Sequence, residues 1–505
     1  MEKIAFVELN INEVKLSFVQ VSKNRAFNVY REVNMPVYSL KDFAQDNIIK
    51  PAAIKELLGV LAVYKQMIVR EQVEAIKAIA SGMFRKAKNF NGFIDEVQNA
   101  IANKVEVLDS VETMKQIYTA VINTMNKPKG VIINIDDDNI QLQMYNRRNV
   151  LDCITINNGL ETLDVEYNEQ GLIAEAKYNK VKGYIVEELK KNTEILSNIP
   201  EDYEFVGCGE FVKALGTVCM RACKYPLNQL HGFEIKKSDF EKIASHMKGV
   251  DNTKASKIKG ISVSNSKYLP VGVAVLDAIF EVTERERVFV CVTDEREGVL
   301  FNYTIPLTEE KPITDTLGYS LQAINEFYDV LPNNASKVYE LSLILVKQLK
   351  VLHKLGRLYV KVLRIASYLY DSGNRVNVNN SEKNAFEVIL NSNIYGATHS
   401  EIVMGAFVAS VVDPDNFNLA DYVKFKDLLT EEDLVAIKKL AIILKLAIAL
   451  DITGFGNVTD ISCDILGDSV IMKTVVENPC PLEIKTAMLC QNEFKKAFGK
   501  NLEVL

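Results

Sequence analysis

The chain is poor in histidine. Four occur in 505 residues, at His231, His246, His353 and His399, and they are scattered. A histidine-rich metal centre needs several imidazoles converging on one ion, so such a centre is not expected. The eight cysteines show no dense spacing pattern, which excludes a disulfide framework and suits reduced thiols in the cytosol. No apolar run is long enough for a membrane span. The most apolar stretch, LAIILKLAIAL at 440–450, is short and is split by Lys445. The start, MEKIAFVELNINEVKLSF, alternates like a strand, with no continuous apolar core and no small-residue cleavage site. A cytoplasmic protein is therefore expected, with no membrane association. An overall excess of positive charge is missing too. The net charge of −7 argues against a nucleic-acid partner and leaves room only for a local basic groove.

What is present is an ordinary globular mix, 48% hydrophobic and 25% charged, over a length that suits roughly three or four domains. The first 34 residues read as three short strands, IAFVEL, EVKLSFVQV and RAFNVYREV, with polar turns around Asn10 and Asn12 and at 23–24. Residues 130–158 repeat the plan. GVIINI runs into a turn at Asp136, Asp137 and Asp138; NIQLQMY follows; Arg147 and Arg148 mark a turn; NVLDCITI closes the copy. At an offset of 126 residues, Glu8 falls on Asn134, Asn10 on Asp136 and Leu16 on Leu142. Each copy leads into mixed helix–strand sequence. Helices are predicted over 50–66 and 83–103, and short apolar segments follow at 105–108 and 204–207. Two βββ-αβα lobes in tandem suggest an actin-like, ribonuclease-H-like duplication. In that architecture a ligand lies between the lobes and the first hairpin turn of each lobe faces it.

Breaks fall at NKPKG (126–130) and IPLTEEKPITDT (305–316). Helical spacing then takes over. ELSLILVKQLKVLHKLG at 340–356 has Gly356 as its predicted stop. After DITGFGNV, the segments DISCDIL and SVIMKTVV read as strands, a helix is predicted over 484–498, and a last short strand completes a small α+β unit. The expected domains are 1–126 and 127–310 (the two lobes), 311–452 (helical) and 453–505 (small α+β).

Several segments in this order resemble the exopolyphosphatase/guanosine pentaphosphate phosphatase (Ppx/GppA) family. They are ASGMFRKAKN at 80–89, FVGCGEFVKALGTV followed by YPLNQLHGFEI at 225–235, and KIKGISVSNSKYLPVGVAVLDAIFE at 257–281. DEREGVLFNY at 294–303, AIALDITGFGNVTDISCDI at 447–465 and FKKAFGKNLEV at 494–504 complete the set. The resemblance implies two actin-like domains, a helical domain related to the HD phosphohydrolases, a small C-terminal domain, a homodimer, and Mg2+-dependent attack of water on a terminal phosphate of polyphosphate or pppGpp.

Such chemistry needs backbone N–H groups around the phosphate, a cation, and a carboxylate that positions water. The family's first loop, resembling Asp-x-Gly-Ser-Asn-Ser, here reads Glu8, Leu9, Asn10, Ile11, Asn12, Glu13. Its second, resembling Asp-Ile-Gly-Gly-Gly-Ser, reads Asn134, Ile135, Asp136, Asp137, Asp138, Asn139. Glycines that let a backbone approach an anion have become carboxylates that repel it. Of a third glycine pair, Gly207 and Gly209 remain, followed by Glu210 and Phe211. By resemblance, Glu112 falls on the catalytic carboxylate, Arg85 on a phosphate-contacting arginine with Asn89 four residues on, and Arg296, Glu297 and Gly298 on a conserved Arg-Glu-Gly. The residues themselves also admit plainer roles. Glu112 opens a predicted helix, where the dipole favours it; Arg85 suits a surface ion pair; Arg296 and Glu297 suit domain packing.

The helical domain shows the same losses. The His-Asp step of its relatives appears as Tyr370-Asp371, an earlier histidine as Asn334, and a His-His-Lys-His run as Ser381, Glu382, Lys383, Asn384. No metal is expected there, and His399 alone reads as a packed or surface residue. Cys219 and Cys223, near His231 in sequence, read as one helix face rather than a zinc site. The Asp triplet lacks the spaced ligands of a calcium loop. The expectation is a family member with degraded phosphate loops, weak or inactive as a hydrolase, acting in regulation or interaction, with a possible anionic phosphate ligand at Arg85. The alternative is an active exopolyphosphatase or pppGpp phosphohydrolase with Glu112 as base and Mg2+ held by the Asp cluster.

Overall fold

The computed structural model describes all residues except 12, 38–46, 148, 168–173, 251, 256, 259–267, 306–312, 331 and 411–418, and except the side chains of 252, 253, 332 and 333. Asn12, Arg148 and most of the break at 305–316 thus lie outside the described residues. Two compact units emerge. The first holds residues 1–224 and 230–314; the second holds 225–229 and 315–505.

The first unit is built on two mixed sheets. β1 (Glu2–Leu9), β2 (Glu13–Val21) and β3 (Phe27–Pro36) form an antiparallel meander. β4 (Ala75–Ser81) and β5 (Glu106–Leu108) add in parallel beside β1, giving the order β3-β2-β1-β4-β5. The second sheet repeats the plan with β6 (Lys129–Ile135), β7 (Ile140–Asn146) and β8 (Asn149–Ile156), then β9 (Glu204–Cys208) parallel to β6. β10 (Glu234–Lys236) and β11 (Arg287–Val290) extend it, with β11 parallel to β9 and β10 an antiparallel edge.

The offset of 126 residues holds to the level of single hydrogen bonds. Asn10 N–H donates to the Glu13 carbonyl at 2.9 Å, and Asp136 N–H donates to the Asn139 carbonyl at 3.0 Å. The central strands β1 and β6 are buried on both faces, which is why they read as unbroken apolar runs.

Helix Pro51–Glu71 starts on a proline and buries Ala53, Leu57, Leu61, Tyr64 and Ile68, a stripe of one residue per turn. It runs five residues past the predicted end. The second predicted helix starts later than expected, at Phe90. Ser81 first caps a 3-10 turn, Gly82–Lys86, which breaks the run.

Two helices exchange sides. Ser110–Thr124 packs on the second sheet through Met114, Ile117 and Val121, whereas Glu295–Thr304 packs on the first through Val299 and Leu300. They cross at Gly298, where an added Cβ would lie 2.1 Å from the Gln116 carbonyl oxygen, so only glycine fits. Both helices open with capping boxes, Asp109 with Glu112 and Asp294 with Glu297.

The second unit is helical with a small sheet. Its core joins helices Pro332–Gln348, Tyr359–Leu369, His399–Ser410 and Glu431–Ala449 to β12 (Val458–Leu466), β13 (Ser469–Val476) and β14 (Asn501–Val504). The stop expected at Gly356 falls two residues earlier, where Lys354 takes the left-handed conformation at φ 58°. The helix predicted over 484–498 is two, Pro481–Met488 and Gln491–Phe498. His399 is buried and pairs through Nδ1 with the Tyr225 hydroxyl at 2.8 Å. Among the described residues no helix is long and apolar enough to cross a membrane.

Candidate functional site

Both hairpin turns open on one cleft of about 440 Å3 in the first unit. Glu8, Asn10, Glu13 and Lys15 come from the first meander; Asn134 and Asp136–Asp138 from the second; Gly209 and Glu210 from the start of helix Gly209–Ala222; Asp294 and Glu295 from the turn after β11. Among the described lining residues eight carboxylates face a single lysine.

The Asp turn is shaped by backbone bonds. Asp136 and Asp137 present their carbonyls to the N–H groups of Leu160 and Glu161 at 2.9 and 3.0 Å, which fastens the turn to helix Leu160–Glu166. Gly159 makes this approach possible: a Cβ there would sit 2.4 Å from the backbone of Asp137, Asp138 and Asn139. The Asp137 N–H, which a glycine loop would offer to an anion, donates instead to Asp136 Oδ1 at 2.8 Å.

The nearby cations are committed to protein carboxylates. Lys15 lies 3.1 Å from Glu13 and 4.0 Å from Glu210. Lys213 bridges Asp294 at 2.6 Å and Glu210 at 3.2 Å. Arg296 bridges Glu32 at 2.7 Å and Glu297 at 2.8 Å and approaches Glu8 at 3.5 Å. The Lys213 ammonium holds Glu210 below the usual carboxylate range, and Lys213 with Arg296 overcomes burial to hold Asp294 lower still.

Other carboxyls move the opposite way. Burial pushes Glu8 up to about 8 against the pull of Arg296. Glu295 rises to about 8 through burial and the charges of Asp294 and Asp136. Asp136 is exposed to solvent at the turn; the crowding of the cleft walls around its carboxyl, with Asp137 and Asp138 beside it, raises it to about 7.

These shifts set a pH dependence. Between the unfolded value near 4.5 and the folded values near 7 to 8, the folded state binds more protons than the unfolded one, so stability falls as pH rises through that window. Asp294, with its depressed value, contributes a constant stabilisation there. A lower melting temperature at about pH 8 than at about pH 6 is expected, with the difference reduced in Glu295→Gln. A melting temperature that climbs over the same interval would reverse the sign.

The sequence-predicted site residues divide. Glu8, Asn10, Asn134, Asp136, Asp137, Asp138 and Gly209 come together at the cleft; Asn12 lies outside the described residues. Gly209 holds φ +87° and faces the Asn134 side chain. Gly207 sits within β9, packed against Val212 and Val288. Glu112 is not among the described lining residues, although its neighbour Thr113 is. Its carboxylate accepts the Asp109 N–H at 2.9 Å and lies 3.6 Å from Arg85. Arg85 also donates to the Val107 carbonyl at 2.6 Å, and the side chains of both Arg85 and Glu112 are half exposed. Asn89 uses both ends of its amide on the Ile49 backbone. Cys219 is buried on its helix, whereas Cys223 is exposed at the helix end.

The sequence reading missed Lys15, Asp294 and Glu295 as cleft-lining groups, and Lys213 as the partner of Asp294 and Glu210. Of these Asp294 carried a readable signal, the D-x-x-E spacing of the capping box it forms with Glu297. Among the described residues no three His, Cys, Asp or Glu side chains are placed to hold a metal ion together, so the donors do not fit a resident Mg2+ as they stand.

A model of the Ppx/GppA phosphatase family matches residues 37–305, just over half of the chain. The chain belongs to that family. Curated relatives of this Ppx/GppA member include a guanosine-5'-triphosphate,3'-diphosphate pyrophosphatase of Aeromonas hydrophila, 20% identical over 352 residues, covering 69% of this chain and 68% of the relative. One of the same name from Vibrio vulnificus is 21% identical over 306 residues, covering 60% and 59%.

Among solved structures, the Aquifex aeolicus Ppx/GppA family member superposes with a TM-score of 0.53 at 20% identity, over 59% of this chain and 96% of that one. An exopolyphosphatase of Cytophaga hutchinsonii gives 0.53 at 16%, over 60% and 98%. At these identities the likeness establishes the fold, a mixed α/β actin-like one.

Proposed function

We propose that this Ppx/GppA member no longer hydrolyses polyphosphate or pppGpp at an appreciable rate and acts as a regulatory or interaction protein in the cytoplasm, as a homodimer. The carrying observation is the acidity of the cleft: eight described carboxyl groups, three of them (Glu8, Asp136 and Glu295) raised to about 7 to 8, against one lysine that Glu13 and Glu210 already engage. Two unit charges about 4 Å apart repel by about 1 kcal/mol in water and by roughly 4 kcal/mol in a partly dry cleft. A polyphosphate chain entering this cleft meets several such pairs, with no free cation among the described residues that line it. On this reading Glu112 serves its helix cap, and Arg85 pairs with Glu112 rather than with phosphate. The second unit is then the HD-related domain of the family without its metal ligands.

A second reading, an active Mg2+-dependent exopolyphosphatase or pppGpp phosphohydrolase with Glu112 as base, draws support from the relatives' printed names and from the affinity of carboxylates for hard cations. Phosphate release from long-chain polyphosphate and from pppGpp, in Mg2+ and K+, separates the two. No release above the blank is expected, and no difference between wild type and Glu112→Gln. Clear turnover that Glu112→Gln abolishes overturns the first reading.

A further inference from the structure

Most of the positions that resemblance matches to metal ligands of the helical domain, the retained Asp371 among them, come together. Asn334, Tyr370, Asp371, Ser381 and Glu382 line one cavity of about 400 Å3 in the second unit, a volume in the range of small-molecule sites. Its wall has two characters. Ala441, Leu444 and Ile448, on one face of helix Glu431–Ala449, join Val408 as an apolar side. Carboxylates line the same cavity. Asp451 is 6% exposed; its Oδ1 accepts the Gly456 N–H at 2.9 Å, and its Oδ2 takes no hydrogen bond from the described residues. Asp371 is partly buried and is hydrogen-bonded by Asn374. Both carboxylates act on the Tyr370 hydroxyl, and burial raises both above the usual carboxylate range.

The electrostatic sign of the cavity is fixed by what surrounds it. Lys445, the lining cation, is bridged to Glu493 at 2.8 Å; Lys337, which acts on Asp451, is bridged to Glu340 at 3.4 Å, and Arg375, which acts on Asp371, to Asp329 at 3.7 Å. Asp451 follows the C-terminal end of helix Glu431–Ala449, where the aligned peptide dipoles present their negative pole. An anion therefore finds repulsion. A hydrated divalent ion finds no three-ligand cluster among the described residues and an apolar wall that it cannot use. A group with a positive head and an apolar body satisfies both sides: a buried carboxylate gains a charge-assisted bond, and the aliphatic wall gains contact area.

We propose that this cavity binds an amphipathic organic cation, an aliphatic amine whose ammonium is held by Asp451 and Asp371 and whose hydrocarbon chain lies on Ala441, Leu444 and Ile448. The site is distinct from the acidic cleft of the first unit and stands whether or not that cleft retains a hydrolase.

Isothermal titration of the full chain with hexylamine, 1,6-diaminohexane, hexanol and MgCl2 tests it. Hexylamine is expected to bind and to raise the melting temperature, with hexanol at least about tenfold weaker, ~1.4 kcal/mol. Asp451→Asn and Asp371→Asn are each expected to weaken hexylamine at least about tenfold, and Asp136→Asn to leave it unchanged. Because Asp451 also supports the Gly456 turn, the partly exposed Asp371 supplies the variant that keeps its fold. Chemical-shift changes of the Leu444 methyl groups on adding hexylamine to the wild type report the contact directly. Hexanol binding as tightly as hexylamine, binding that survives both substitutions, binding lost in Asp136→Asn, or unmoved Leu444 methyls each overturns the assignment. So does MgCl2 displacing hexylamine competitively.

Discussion

Replacing Asp136, Asp137 and Asp138 together by asparagine is expected to tighten tripolyphosphate binding at least tenfold, about 1.4 kcal/mol or more. The turn survives the change. Asp136 uses Oδ1 to accept the Asp137 N–H, and Asp138 uses Oδ1 to accept the Asn139 amide, and asparagine keeps both acceptors. Asparagine also tolerates turn geometry. What disappears is charge. Enclosure and mutual repulsion already hold the Asp136 carboxyl near 7, so the wild-type turn is under electrostatic load before any anion arrives. The variant is therefore expected to melt at a higher temperature while binding the polyanion more tightly.

The gain is expected to shrink as salt rises, because much of it acts across solvent. Hydrolysis is not expected to return, since side chains still stand where glycines would let the backbone reach a phosphate. Titration calorimetry at low and high salt reads the outcome. Wild-type protein that binds tripolyphosphate tightly only with Mg2+, and loses it in the triple variant, would show that the aspartates recruit a cation instead.

Local pattern carried most of the fold. The two meanders were legible because strand alternation and turn residues repeat at one offset, and the matched turns at Asn10 and Asp136 are the structural form of that repeat. β4 was not. Its sequence, AIKAIAS, has three alanines in seven residues, which favours helix, and it is a strand because it lies between β1 and β5. Helix ends were misplaced where the deciding residue was atypical, as at Lys354, a left-handed lysine in place of the expected glycine.

The site divides along the same line. The Asp triplet announced itself, and Glu112 sat in a D-x-x-E capping spacing open to inspection. The convergence of Glu8, Glu210 and Glu295, and the reach of Lys15 to Glu210, of Lys213 to Asp294 and of Arg296 to Glu8 and Glu32, join segments far apart in the chain. No local signal encodes them.

Removing the Arg296 guanidinium, as in Arg296→Met, is expected to destabilise the first unit by about 3–5 kcal/mol, because a buried charge cluster loses its cation. Arg296 holds Glu32 at 2.7 Å and Glu297 at 2.8 Å, lies 3.5 Å from Glu8, and donates to Ser17 Oγ at 3.3 Å. Glu8 and Glu297 are each 6% exposed, so water cannot replace it. The Glu8 Oε2 atom has no hydrogen-bond partner even with Arg296 in place, which makes the ion pair its main compensation. Burial already lifts Glu8 to about 8 and Glu297 to about 7. Without Arg296 both carboxyls rise further and take up protons, so the loss is expected to be larger at about pH 8.5 than at about pH 6. The double variant Arg296→Met with Glu8→Gln should recover part of the loss, since it removes the most enclosed orphaned charge. Urea denaturation followed by circular dichroism at the two pH values checks all three points. An unchanged midpoint, or a double variant no better than the single, would mean that Glu8 is compensated by other groups. The same bonds join the first meander, through Glu8, Ser17 and Glu32, to the helix that begins at Glu295. Arg296 therefore links the two halves of the cleft wall as it neutralises them, and its loss should disturb the cleft before it disturbs the rest of the unit.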